Sequence, residues 1–234
     1  VGATLAFVRL LLDNRSRTFS PGLLSEEDLS RLYDWPTDGG LRANFVSTLD
    51  GSAVGGDGLS GSINTKADGR VFQLQRNLAD CVLVGAGTVR AEGYRRGGKP
   101  IIVVSARGHL PDSLASGDGE AVLVTCAASG REESDDVWIV GEDSVDLPGV
   151  VARLRGAGMP RILAEGGPHL FHDLLGAGVV DEFALTLAPR VVGGDHLRVV
   201  AGDPLGGEAG LDAEIIHLLE EDGSLLGLWH LPRP

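Results

Sequence analysis

The sequence predicts an α/β fold: one domain built on a mixed, mostly parallel sheet, with helices on both faces and an antiparallel hairpin at the C-terminal end. Three observations carry this expectation. Apolar runs of strand length alternate with helical stretches through most of the chain, which implies parallel crossovers. Two of those runs end in glycine-rich turns that open helices, and ligands of open parallel sheets collect beyond such strand ends. The last two strand-like runs are joined only by Glu221-Asp222-Gly223, a connection of hairpin length.

Taken in order, residues 1–40 read as an N-terminal extension packed on the core. The stretch from Asp13 to Pro21 is polar, Ser25-Glu26-Glu27-Asp28 caps a short helix reaching about Tyr33, and Pro36-Thr37-Asp38-Gly39-Gly40 is a turn. The core domain, 41–234, opens with a strand near 41–48. Asn64-Thr65 then starts a helix over 65–78 with Asp68 in its first turn. Further strands fall near 80–85, 100–105, 121–125, 136–140, 160–164, 180–188, 211–218 and 224–231, and helices near 87–92, 147–156 and 168–176. Gly193 to Gly210 is rich in glycine and reads as a surface loop.

Charge and length narrow the function. A chain of 234 residues can bury one large α/β core, and a net charge of −13 argues against nucleic acid as a partner. Within that acidic chain, residues 66–107 hold eight basic side chains against three acidic ones, an island suited to a small anionic ligand. No apolar run approaches the ~20 residues that span a bilayer, and no basic region precedes a signal-peptide core, so a cytoplasmic protein without a membrane partner is expected. Cys81 and Cys126 lie in apolar, strand-like runs and read as buried structural thiols.

The most informative stretch is Arg161-Ile162-Leu163-Ala164-Glu165-Gly166-Gly167-Pro168-His169-Leu170. An apolar run ends in an acid and two glycines, and a proline opens the next helix. Glycines let a backbone approach a ligand closely, and a helix N-terminus presents free N–H groups to an anion, so this is a phosphate cradle. A second cradle follows Cys81-Val82-Leu83-Val84, where Gly85-Ala86-Gly87-Thr88-Val89-Arg90 begins a helix. It departs from a Rossmann fingerprint: Arg90 stands where the third glycine belongs, and no acid follows for a ribose hydroxyl. The next strand ends instead in Ser105-Ala106-Arg107, suited to a ribose 2′-phosphate, which favours NADP over NAD. His169 and His172, with Asp173, are spaced for one helix face, yet no further ligand has supporting spacing, so no metal is expected. His172 is expected to face solvent.

A third segment, Ser47-Thr48-Leu49-Asp50-Gly51, closes the first core strand. Together with Val-Gly-Ala-Gly-Thr-Val-Arg-Ala-Glu from Val84 and Ala-Glu-Gly-Gly-Pro-His-Leu from Ala164, followed by Ala-Pro-Arg-Val-Val-Gly-Gly from Ala188, it resembles the dihydrofolate-reductase-like family. More closely, the chain resembles its riboflavin-biosynthesis pyrimidine reductases, the RibD C-terminal domain, from about Leu41 to the end. The resemblance implies a single dihydrofolate-reductase-like domain that binds NADPH through Gly166, Gly167, Pro168, His169 and Leu170. Support would come from Gly85, Gly87 and Thr88, from Ser105 and Arg107 at the adenosine end, and from Val46 and Glu92. It also implies a homodimer.

The same resemblance implies a heterocyclic substrate contacted from Ser60, Arg76 and Glu165, with Asp50 close by. A ribosyl phosphate would need a cation, with Arg76, Arg95 or Arg96 available. Asp50 and Glu165 are the candidate proton handlers. The family commonly has an aromatic residue where this chain has Ser62, and the zinc deaminase fused to many members has no counterpart, because two cysteines cannot supply its ligands. The expected activity is hydride transfer to a pyrimidine- or pteridine-like ring, of the 5-amino-6-ribosylamino-uracil phosphate reductase type. A dihydrofolate reductase-like activity and a non-catalytic NADP-binding sensor are the alternatives.

Overall fold

The computed structural model describes residues 8–15, 22–207 and 209–232. Ten strands form one sheet in the order β1-β9-β10-β8-β2-β7-β3-β4-β5-β6. They are β1 (Arg9–Asp13), β2 (Gly40–Thr48), β3 (Cys81–Gly85), β4 (Ile101–Val104), β5 (Ala121–Thr125), β6 (Val137–Ile139), β7 (Arg161–Ala164), β8 (Glu182–Ala188), β9 (Glu214–Glu221) and β10 (Ser224–His230). The helices are α1 (Glu26–Leu32), α2 (Lys66–Leu78), α3 (Ala86–Glu92), α4 (Leu147–Gly156) and α5 (Pro168–Gly176). Strands β2 to β8 pair in parallel, whereas β1–β9, β9–β10 and β10–β8 pair antiparallel. The mixed sheet and C-terminal hairpin are as the sequence predicts.

Central strand β2 is buried at all nine positions, so it is covered on both faces. Alternation sorts its side chains. Leu41, Ala43 and Phe45 join Leu83, Ile102, Ile162, Leu154 and Phe171 in the largest core cluster, beneath α4 and α5. The intervening Arg42 and Asn44 turn to the other side, where Asn44 Oδ1 accepts a 2.8 Å bond from Gln75 of α2. A second cluster there joins Val8 and Leu10 to Leu29, Tyr33, Val71, Leu219 and Leu226.

Two differences from the sequence reading have simple causes. The segment before residue 40 contributes a strand, β1, which adds to the sheet edge beside β9 and was concealed by its five-residue length. Strand β9 starts three residues later than expected, at Glu214, because Glu221 stays in the ladder opposite Ser224. The hairpin turn is then Asp222-Gly223, both at positive φ (49° and 80°), the backbone a two-residue turn between twisted strands requires. Among the described residues no helix is long and apolar enough to cross a membrane.

Candidate active site

The two glycine turns meet, as the sequence suggests. Gly85 N–H donates a 2.8 Å bond to Gly166 O, which ties the end of β3 to the end of β7. Gly166 has φ 108°, a region that favours glycine, and a Cβ on Gly167 would stand 2.6 Å from Thr88 Oγ1. Gly167 caps α5 without a side-chain bond of its own. The N–H groups of His169 and Leu170 in the first turn therefore face outward by helix geometry. This bare, positively polarised end beside the Thr88 hydroxyl suits a phosphate group, so the cradle fits a pyrophosphate-bearing cofactor.

A cleft of about 1010 Å³ opens at these strand ends. It gathers Val46, Ser60, Arg76, Gly85, Gly87, Thr88, Glu92, Arg95, Glu165, Gly167, Pro168, His169 and Leu170 from the residues singled out by sequence. Glu92 accepts the Ser60 N–H at 3.0 Å and so holds the β2–α2 loop against α3. Gly166 stands in the cradle behind the lining. Ser105 and the exposed Arg107 follow the end of β4 and are not among the residues lining the cleft.

Glu165 is the centre of the inner wall. Its side chain is 1% exposed, and Arg76 grips it with bonds of 2.6 and 2.5 Å. The Tyr94 hydroxyl donates a third bond of 2.7 Å. Burial works against the Arg76 charge, yet the carboxylate outweighs it and raises the guanidinium's pKa. Burial, then the Glu165 charge, raises the Tyr94 phenol well above its usual range, so it stays protonated. A carboxylate held by three hydrogen bonds orients its neighbours. Tyr94 was not singled out by sequence, because an aromatic beside an arginine run carries no motif. Its position directly after the glycine that ends α3 was the available signal.

Asp50 is not brought into the cleft, which corrects its expected role as a proton handler. Its carboxylate accepts from Thr48 Oγ1 at 2.5 Å and from the N–H groups of Val192 and Gly193 at 3.1 and 2.7 Å. The Thr48 hydroxyl, then the Gly193 N–H, lower its pKa, so it is an ionised anchor for the loop after β8. Arg96 is likewise a structural clamp, bonded to Leu114 O and Gly119 O, and the cations left to line the cleft are Arg76, Arg95 and Lys99. His172 does not face solvent: its ring bridges Asp173 and Asp203 O and pins the loop after residue 200. Cys81 and Cys126 are buried free thiols. Among the described residues no group of three or more His, Cys, Asp or Glu side chains converges to hold a metal ion.

Asp68 was read from sequence only as a first-turn acid of α2. In the structure it lines the cleft and is 4% exposed.

Parallel strands ending in glycine cradles above a charged cleft define a nucleotide-cofactor enzyme of the α/β class. Residues 40–214 match the RibD C-terminal domain family, and the chain belongs to that family. It is 30% identical over 178 residues to the 2,5-diamino-6-ribosylamino-4(3H)-pyrimidinone 5′-phosphate reductase of Methanothermobacter thermautotrophicus, covering 67% of this chain and 81% of that one. The protein of the same name from Archaeoglobus fulgidus is 27% identical, covering 64% and 80%. In fold, the chain is similar to a pyrimidine reductase-like protein of Corynebacterium diphtheriae, with a TM-score of 0.69, 19% identity, and 84% and 93% of the two chains covered. A Thermotoga maritima deaminase/5-amino-6-(5-phosphoribosylamino)uracil reductase gives a TM-score of 0.68 at 20% identity, covering 83% of this chain and 57% of that one.

Proposed function

We propose that this chain is the NADPH-dependent reductase of a ribosylamino-pyrimidine phosphate in riboflavin biosynthesis. It is an oxidoreductase with a nicotinamide cofactor, and its relatives carry the name of that pyrimidine reductase. The observation that carries the reading is the convergence, in one cleft, of the Gly166-Gly167 cradle with the Glu165–Arg76–Tyr94 network and two further cations. A cofactor phosphate suits the cradle, and a substrate phosphate suits Arg95, Lys99 and the unengaged edge of the Arg76 guanidinium.

The dihydronicotinamide, when bound, supplies the hydride. The chain's residues supply alignment. Val46, on the buried central strand, lines the wall beside Phe45 and gives the ring a rigid apolar surface. Glu165 fixes the direction of Arg76, and the Tyr94 proton is committed to Glu165, so neither wanders toward the reacting atoms. Ser105 and Arg107 at the end of β4 support the choice of NADPH, since an arginine there reaches a 2′-phosphate bound beyond the cradle. Two buried thiols suit a reducing, cytoplasmic setting.

The chain is proposed to work as a homodimer. Strand β8 is interior, between β10 and β2, and so offers no sheet edge. The support is a face instead: Phe183, Leu185, Leu187, Leu225 and Trp229 are only partly buried, and pairing brings Leu187 beside Leu225 and Phe183 beside Trp229. Sedimentation should give twice the 24.4 kDa chain. A monomer at micromolar concentration would contradict this.

The activity is tested by following NADPH absorbance as the ribosylamino-pyrimidine phosphate is added. Oxidation should depend on the substrate, and Glu165→Gln, which removes the negative charge that Arg76 and Tyr94 hold, should lower kcat/KM by roughly ten- to a hundredfold with NADPH affinity kept. Substrate-independent or absent oxidation would sink the reading.

A further inference from the structure

The glycine-rich segment between β8 and β9 reaches the cleft. Leu197 lines the mouth and is 42% exposed, an apolar side chain left for a bound ligand to cover. The chain around it is tied down along its length. Leu197 O accepts the Ala53 N–H at 2.8 Å, beside an antiparallel bridge between Ser52 and Arg198. Ala201 N–H donates a 3.2 Å bond to the carbonyl of Pro168, the first residue of α5 and part of the cradle. Val199 and Val200 rest on the main core cluster, so the segment loosens in place rather than swinging away. Glycine pairs at positive φ bound it at both ends, Gly193 with Gly194 and Gly206 with Gly207, and these can absorb a shift.

The remaining tie is His172, on the second turn of α5, with its side chain 18% exposed. Its two ring nitrogens meet two acceptors: Nε2 lies 2.9 Å from Asp203 O, and Nδ1 lies 3.1 Å from Asp173 Oδ1. A neutral imidazole carries one N–H and satisfies only one of them, whereas the imidazolium satisfies both. The contact is close, because a Cβ on Gly202 would stand 2.4 Å from the ring. The Asp173 carboxylate, then the Asp203 carbonyl, raise the ring's pKa above its ordinary value. Asp173 on α5 and Asp203 on the segment itself are the charged groups that face it, and both act in that direction. The doubly bonded form is therefore held at lower pH and lost as the pH rises through the raised pKa.

We propose that residues 195–205 are a strap across the mouth of the cofactor cleft and that His172 is its positioning residue, clamping the strap to α5 as an imidazolium and loosening it as a neutral ring. The assignment rests on the cofactor reading above. Ala53 and Pro168, to which the strap is bonded, both line the cleft, so a change in the clamp is felt at the lip and at the cradle together. No strap residue touches the Glu165 network, whose bonds come from Arg76 and Tyr94. The strap thus governs how long NADPH stays and leaves the chemical step to the inner wall.

Two amides read the clamp without any ligand. Hydrogen exchange at Ala201 and Ala53, corrected for the intrinsic rate at each pH, should be protected about tenfold more at about pH 6 than at about pH 9. His172→Gln keeps a single neutral donor and should show the weaker protection throughout. Asp173→Asn removes an exposed carboxylate that favours the charged ring, so the midpoint should move to lower pH, an outcome that misfolding cannot produce. NADPH dissociation, followed by its fluorescence, should quicken about tenfold over the same range in the wild type and be fast at every pH in His172→Gln, with KM for NADPH raised and kcat kept. If no NADPH binds at all, the cofactor reading falls, while exchange that still follows His172 keeps the clamp. Exchange indifferent to pH, a midpoint unmoved in Asp173→Asn, or NADPH dissociation unchanged in His172→Gln would each overturn the proposal.

Discussion

Gly167 has no room for a side chain, because its Cβ would stand 2.6 Å from the Thr88 hydroxyl. Gly167→Val must push Thr88 out of the cradle and fill the approach to the free N–H groups of α5. NADPH affinity should fall by roughly ten- to a hundredfold, while far-ultraviolet circular dichroism stays native; normal binding would place the phosphates elsewhere. Arg107→Ala should narrow the preference for NADPH over NADH by about tenfold or more in calorimetric Kd, since one charge-assisted contact to the 2′-phosphate is lost. An unchanged ratio would transfer that role to another member of the basic island. Glycines and cradle residues were legible in the sequence because their chemistry is local. The places of Asp50 and Asp68 were not. Both acids stand near the ends of β2 and α2, and only the sheet's geometry turns one toward the β8 loop and the other into the cleft.

At the scale of elements, α4 and α5 were legible to the residue, since Asp146 caps the first and proline opens both first turns. Strand β1 was not, because a five-residue edge strand has little periodicity to read. Its neighbour β9 carries His217, fully buried against Tyr33 at 4.7 Å between ring centroids, with both ring nitrogens unpartnered. Burial, then the charges of Arg42 and Arg15, lower its pKa to about 3, against the opposing pull of Asp13. Below about pH 6.5 the unfolded chain binds a proton that the folded chain refuses, so stability falls as the pH drops from 6.5 toward 3. The loss approaches about 1.4 kcal/mol per pH unit. Asp68 acts in the opposite sense, its raised pKa favouring the fold below about pH 6. Urea titrations of the wild type and His217→Phe between pH 7 and 4.5 isolate the histidine: the variant should lack that share of the slope. Parallel curves would show that His217 accepts its proton in the folded state.

Across the whole molecule, the sheet joins the two ends of the chain: β1 closes one edge beside β9, while the cleft opens at the far ends of the parallel strands. The fold class could be read from alternation alone, but the unity of residues before and after position 40 could not, since it rests on a contact between distant parts of the chain. Arg42, 0% exposed, pairs with Glu182 at 2.5 Å, lies 3.9 Å over the Trp35 ring and donates a 2.7 Å bond to Tyr33 O. Its charge is thus satisfied partly by the segment that the sequence reading set apart as an extension.

A practical consequence concerns where the domain can be cut. The family match begins at residue 40, and a chain expressed from that boundary would keep Arg42 and Glu182 while discarding the backbone carbonyls and indole that enclose the guanidinium. Each acceptor taken from a buried donor costs about 1–3 kcal/mol, and the apolar cluster around Leu29 and Tyr33 goes with it. The portable unit for grafting, fusion or directed evolution therefore starts no later than Val8. Expression of the 40–234 piece beside the full chain should give insoluble or protease-sensitive product, and a cooperative urea transition with an unshifted midpoint would return the boundary to residue 40.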